Sequence, residues 1–194
     1  LLLDYNDIAR YNKEVFWTHT ELTALSLASN HIQVPTTGIY MPSLTFLHIG
    51  ENHATINARI SKGAFPSLIY LYLNGNILEQ FPDESLKDHL QDLGVARCRL
   101  TSLPAYLSKF KRMVYLDARD NNITSVDASL KSLIKANDIE SYFSGNTVCK
   151  DDNSLDCEPL CSKTCWRRTA PNDGFCDIEC NTADCKFDGG DCKF

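Results

Sequence analysis

Apolar residues return along this chain in one eleven-residue frame, L-x-x-L-x-L-x-x-N/C-x-L. It reads LTALSLASNHI at 22–32, LTFLHIGENHA at 44–54, LIYLYLNGNIL at 68–78, LQDLGVARCRL at 90–100 and MVYLDARDNNI at 113–123. Its Asn or Cys falls at Asn6, Asn30, Asn52, Asn76, Cys98, Asn121 and Asn146, at separations of 24, 22, 24, 22, 23 and 25. The L-x-L alternation predicts a short strand in each frame, with two apolar side chains entering a core and the residue between them facing outward. The Asn or Cys begins the turn off the strand, where a buried amide can satisfy backbone groups of the bend and its neighbours. The returning segments SLPAYLSKFKRM and DASLKSLIKAN carry Leu at helical spacing. FPSL and LPAYL place Pro where a short helix or 3₁₀ turn can start. A unit of this length cannot cover its own faces and must stack on its neighbours.

This frame resembles the leucine-rich repeat. The resemblance implies an α/β solenoid over residues 1–148, with a parallel sheet on its concave side and short helices or irregular turns on its convex side. LLLDYNDI already matches the LxLxxNxI part of a repeat, so further repeats or a cap are expected upstream. The alternation sets Phe46, His48, Tyr70, Tyr72 and Tyr115 on the concave face, on neighbouring strands. Large rings at low entropic cost suit contact with a protein, peptide or glycan. The same rings could instead pack on one another and shield the sheet.

The pattern stops after residue 148, and six cysteines follow within 161–192, spaced C-x3-C-x10-C-x3-C-x4-C-x6-C. So short a stretch cannot bury enough apolar surface to fold unaided. Disulfides would staple it, which places the chain in the secretory pathway, outside the cell or on its surface. Asp188 and Asp191 flank a Gly-Gly pair, and Asp173 precedes Cys176 by three residues. Oxygen ligands on a flexible loop suit Ca²⁺. The expected ligands are Asp173, Asp188 and Asp191, with Asp177 as a further member. Zinc is disfavoured, because the paired C-x2-C clips it prefers are missing.

GFCDIECN followed by CKFDGGDC resembles the Lin-12/Notch repeat, a calcium-binding disulfide module. The resemblance implies a module at 161–194 with pairs Cys161–Cys185, Cys165–Cys180 and Cys176–Cys192. A leucine-rich array joined to such a repeat resembles cell-surface proteins of oomycetes and other protists.

Three cysteines remain. Cys149 and Cys157 lie in a junction, 149–160, where a bridge between them would cap the array. Cys98 takes the Asn position of its frame and is read as a buried, unreactive free thiol. The net charge of −6 divides into −4 over 149–194 and −2 before it, with no basic stripe to meet a nucleic acid. No apolar run is long enough to span a bilayer. Asn122-Ile123-Thr124 is a glycosylation sequon just past a strand. Five scattered His residues lack a partnered nucleophile, so no enzymatic activity is expected. The sequence therefore reads as a glycoprotein of the cell surface or extracellular space that recognises a protein, peptide or glycan. The alternative is a structural subunit of a sheath, wall or filament that uses the same surfaces for self-association.

Overall fold

The computed structural model describes residues 1–9, 14–162, 165 and 171–192. They fall into two compact units, Leu1–Asp156 and Cys157–Phe194. The junction expected at 149–160 is thus divided. Residues 149–156 stay with the first unit because its backbone holds them: Asp152 N–H donates to Val148 C=O at 3.1 Å and Phe143 N–H to Asp156 C=O at 2.8 Å. Lys131 Nζ also reaches Asp152 at 2.5 Å.

In the first unit a helix α1 (Glu14–Trp17) precedes strands β1 (Ala24–Ser26), β2 (Phe46–His48), β3 (Thr55–Ile56), β4 (Tyr70–Tyr72), β5 (Ile77–Leu78), β6 (Asp92–Gly94) and β7 (Tyr115–Asp117). Helix α2 (Ala128–Ala136) and strand β8 (Glu140–Tyr142) follow. β1, β2, β4, β6, β7 and β8 form one parallel sheet in chain order, and β3 pairs with β5 beside it. The register sets Leu25, Leu47, Leu71, Leu93 and Leu116 side by side, with Ser141 at the end of the row. All five leucines are buried. Burying each such side chain stabilises by roughly 1.5–3 kcal/mol. The second apolar residue of each pair (Leu27, Ile49, Leu73, Val95, Ala118) is buried beside them.

The returning segments close the core from the other side. Phe65, Leu86, Leu107, Phe110, Leu130 and Leu133 are all buried. α2 starts at Asp127, whose carboxylate accepts the Ser129 N–H at 2.8 Å as an N-cap. It ends where the Asn137 N–H bonds back to Leu133 C=O. Leu130 and Leu133, one turn apart, form its buried stripe. Two of the other returns are 3₁₀ turns, Glu84–Asp88 and Ala105–Lys109, the second following Pro104.

The turn off each strand repeats one hydrogen-bond pattern. Asn52 is typical: Oδ1 accepts the Ile32 N–H at 2.7 Å, while Nδ2 donates to the carbonyls of Leu27, Ile49 and Gly50 at 2.9–3.0 Å. Asn30, Asn76, Asn121 and Asn146 repeat it, each bonding its own bend and the preceding strand's. The residue before each ladder position is left-handed: Ser29, Glu51, Gly75, Arg97, Asp120 and Gly145 have φ between 52° and 78°. At two of these positions glycine also makes room. A Cβ on Gly75 would lie 2.3 Å from the Glu51 carboxylate, which passes over it to Arg97 Nη2 at 2.5 Å. A Cβ on Gly145 would lie 2.3 Å from Asp120 Oδ1.

Candidate functional sites

The sheet face opposite the leucines carries two side-chain rows. Phe46, Tyr70, Asp92, Tyr115 and Glu140 form one; His48, Tyr72, Gly94, Asp117 and Tyr142 form the other. The rings touch in sequence, with centroids 5.5–6.5 Å apart from His48 and Phe46 through Tyr72 to Tyr115 and Tyr142. Gly94 makes this possible, since a Cβ there would lie 2.9 Å from Tyr72 Cδ1. Phe46, His48, Tyr70 and Tyr72 are half-buried and keep part of their surface in solvent. Tyr115 is a correction to the sequence expectation. It is 1 % exposed, held between Tyr72 and Tyr142, and supports the other rings instead of meeting a partner. Its phenol is pushed far up, first by burial and then by the charge of Asp117.

A polar network underlies the rings. Tyr72 O–H donates to Asp92 Oδ2 at 2.9 Å, and Tyr142 O–H donates to Glu140. Asp117 and Arg119 are both buried and joined by two parallel bonds of 2.9 Å. Burial works against the Arg119 charge, but the Asp117 hydrogen bonds and charge outweigh it and raise its pKa. The guanidinium also sits 5.9 Å from the Tyr142 ring centroid, a cation–π distance. Alternation placed Asp92, Asp117 and Arg119 on this face, but their burial and pairing could not be read from it. The signal present was an Asp and an Arg two apart on one strand face.

Cys98 is buried, and its thiol faces the carbonyls of Leu73 and Ala96 at 3.4 Å. Burial pushes it from 9.0 up to about 12. The folded state therefore keeps a proton that the unfolded chain releases above about pH 9. Its contribution to stability is fully present below that pH and is lost as pH rises towards about 12. A thiol reagent at pH 8 should leave Cys98 unlabelled in the native protein and label it on unfolding; labelling at equal rates in both states would contradict this burial. Asn122 is exposed, with Oδ1 accepting from Thr147 Oγ1 at 3.4 Å.

In the second unit Cys161 is bonded to Cys185, Cys165 to Cys180 and Cys176 to Cys192. Cys149 and Cys157 are also in disulfides, which leaves Cys98 free. Cys165, Cys180 and Cys185 are the buried core, so cystine takes the place leucine has in the first unit. Residues 166–170 of the long Cys165–Cys176 loop lie outside the described residues.

The loop after Cys185 is left-handed at Lys186, Phe187, Asp188, Gly189 and Gly190. Gly189 is required, because a Cβ there would lie 2.5 Å from that of Asn172. This winding buries Asp188 completely. Asp188 Oδ2 accepts the Asp177 N–H at 2.6 Å, while Oδ1 is buried without a hydrogen-bond partner. Asp191 Oδ2 accepts the Gly174 N–H at 3.0 Å, and Asp173 Oδ1 the Phe175 N–H at 2.9 Å. The expected ligands Asp173, Asp188 and Asp191 thus each turn a carboxylate oxygen to a backbone N–H, and Asp177 joins them through its own N–H. Among the described residues the group of three ligand atoms within 4.8 Å is the sulfurs of Cys161, Cys165 and Cys185. All three are in disulfides, so none is a thiolate that could bind a metal.

The Notch LNR domain matches residues 156–193. No curated protein matches the chain. The LNR segment coincides with the second unit and its disulfides, a framework that forms and persists in oxidising compartments. Among the described residues no helix is long and apolar enough to cross a membrane.

Proposed function

We propose that this chain is an extracellular or cell-surface recognition protein. In this reading residues 1–148 are a leucine-rich-repeat solenoid that takes a protein, peptide or glycan on its concave sheet face, and the LNR segment is a Ca²⁺-stabilised module at its end. The observation that carries the reading is the set of half-buried rings Phe46, His48, Tyr70 and Tyr72, in register on adjacent strands. They are large, they support each other, and they keep surface for a partner. The parallel in-register strands and the asparagine ladder support the solenoid. Tyr70→Ala with Tyr72→Ala should weaken binding to any ligand found on a glycan or secreted-protein array by at least tenfold. Unchanged binding by a folded double variant would remove the face from the account, and concentration-dependent self-association sensitive to the same pair would favour the structural subunit.

The ion belongs to the same reading. Asp188 Oδ1 is an anionic oxygen buried without a donor, a costly state that a cation would relieve. Asp173 and Asp191 each have one oxygen beyond the bond described, and Asp177 is tied to Asp188 through its N–H. Bound Ca²⁺ would supply charge neutralisation and cross-linking of the two loops, at a Kd on the order of 10⁻⁴–10⁻³ M. EGTA should lower the melting temperature of residues 157–192 and leave that of the first unit unchanged. Asp188→Asn should remove the Ca²⁺ response, and an unchanged melt in EGTA would contradict the assignment of Asp173, Asp188 and Asp191.

A further inference from the structure

We propose that Asn122 carries an N-linked glycan whose first N-acetylglucosamine lies in the groove between α2 and the segment after β8; this rests on the extracellular reading above and adds a covalent ligand with a seat of its own. The first ground is the state of the asparagine. Asn30, Asn52, Asn76, Asn121 and Asn146 each donate from Nδ2 to at least two backbone carbonyls. Asn122 is exposed, and its side-chain bond among the described residues is the one Oδ1 accepts from Thr147 Oγ1 at 3.4 Å, so Nδ2 is free. Thr124, the other residue the sequon requires, is also exposed, on the far side of buried Ile123. In the transfer, Asn122 Nδ2 bonds to the anomeric carbon of a lipid-pyrophosphate-linked oligosaccharide and gives up one proton. The bond from that carbon to the pyrophosphate oxygen breaks, and the pyrophosphate leaves with the electron pair.

The second ground is the groove. It opens one residue further along both chains, with a volume of about 420 Å³, within the range of small-molecule pockets, roughly 300–1,000 Å³. Thr124 lines it, and so does Val148, which follows Thr147 and donates its N–H to Ile123 C=O at 2.9 Å. Buried Val126 and Val148 supply apolar wall, while Asp151 and the ion pair Lys131–Asp152 supply charge. An N-acetylglucosamine has matching parts: an acetyl methyl and C–H face for the valines, and hydroxyls for Lys131 and Asp152. The covalent tether makes this contact intramolecular, so interactions too weak to hold a free sugar suffice. Asn122 belongs to neither side-chain row of the sheet face, so the glycan leaves Tyr70 and Tyr72 open.

The test expresses the full chain through a eukaryotic secretory pathway. Mass spectrometry should find Asn122 occupied. Asn122→Gln should lower the melting temperature of the first unit by about 2–4 °C, the shift that one net hydrogen bond gives in a chain of this size. Trimming the glycan to its first sugar with an endoglycosidase should leave the melt unchanged. In a Lys131→Ala background the difference between glycosylated and Asn122→Gln forms should shrink, and NOEs should join the acetyl methyl to Val126 or Val148. A bare Asn122 in a secreted, disulfide-bonded chain would overturn the proposal and leave the extracellular reading standing. An occupied Asn122 with no NOE to the groove, and a melting difference indifferent to Lys131, would overturn the seat. A chain that cannot form its disulfides there would count against the wider reading and take this proposal with it.

Discussion

Asn52→Ala is expected to cost the first unit about 4 kcal/mol, a large share of the 5–15 kcal/mol typical of a folded domain. The side chain is buried and makes four backbone hydrogen bonds, one accepted and three donated. Alanine removes all four without letting water in. The Ile32 N–H loses its acceptor, and the carbonyls of Leu27, Ile49 and Gly50 lose a donor. Each buried group left unpaired costs about 1–3 kcal/mol, reduced where a carbonyl keeps a second partner. All three carbonyls do so, because Asn30 also donates to Leu27 C=O, Asn76 to Ile49 C=O and the Ser29 N–H to Gly50 C=O, so the Ile32 N–H is the group left unpaired. Asn52→Asp should be no better than alanine, since it keeps the acceptor but turns a carboxylate oxygen towards three carbonyls. Chemical denaturation of the three proteins measures this directly. A loss below about 1 kcal/mol for Asn52→Ala would mean that the amide is not structural.

Replacing Cys165 and Cys180 together by alanine should unfold the second unit. The two cysteines lie 15 residues apart, and closing a loop of that size contributes about 3 kcal/mol in the chain-entropy model. Their sulfurs are also two of the three buried members of that unit's core. A unit of this size has no larger apolar reserve to absorb the loss. Hydrogen exchange should show residues 157–192 losing protection while β1–β8 keep theirs. Intact protection across residues 171–192 in the double variant would show that the remaining bridges suffice.

What was legible in the sequence follows from which interactions are local. The L-x-L alternation located β1, β2, β4, β6 and β7, because a strand's facing is set by adjacent residues. β8 carries ESY in place of the apolar pair, with Ser141 in the leucine row, and only the ladder position Asn146 pointed to it. The fate of the outward residues was not local. Whether Tyr115 is exposed depends on the size of its ring neighbours Tyr72 and Tyr142, 43 and 27 residues away in sequence. The same holds for Glu51, which passes over Gly75 to Arg97, a partner 46 positions along the chain. In the second unit the Gly-Gly pair pointed to a tight turn. It did not disclose that three residues before it are also left-handed, which is what buries Asp188 and isolates one of its oxygens.

The most direct measurement of the central claim is hydroxyl-radical footprinting of the protein in its native extracellular medium, compared with the purified chain. Phe46, Tyr70 and Tyr72 should be protected in the native medium and oxidised in the purified protein, while exposed Tyr40 and Phe175 react alike in both. Equal oxidation of the three sheet-face rings in both settings, with protection appearing at other surfaces, would contradict the claim that this face receives a partner.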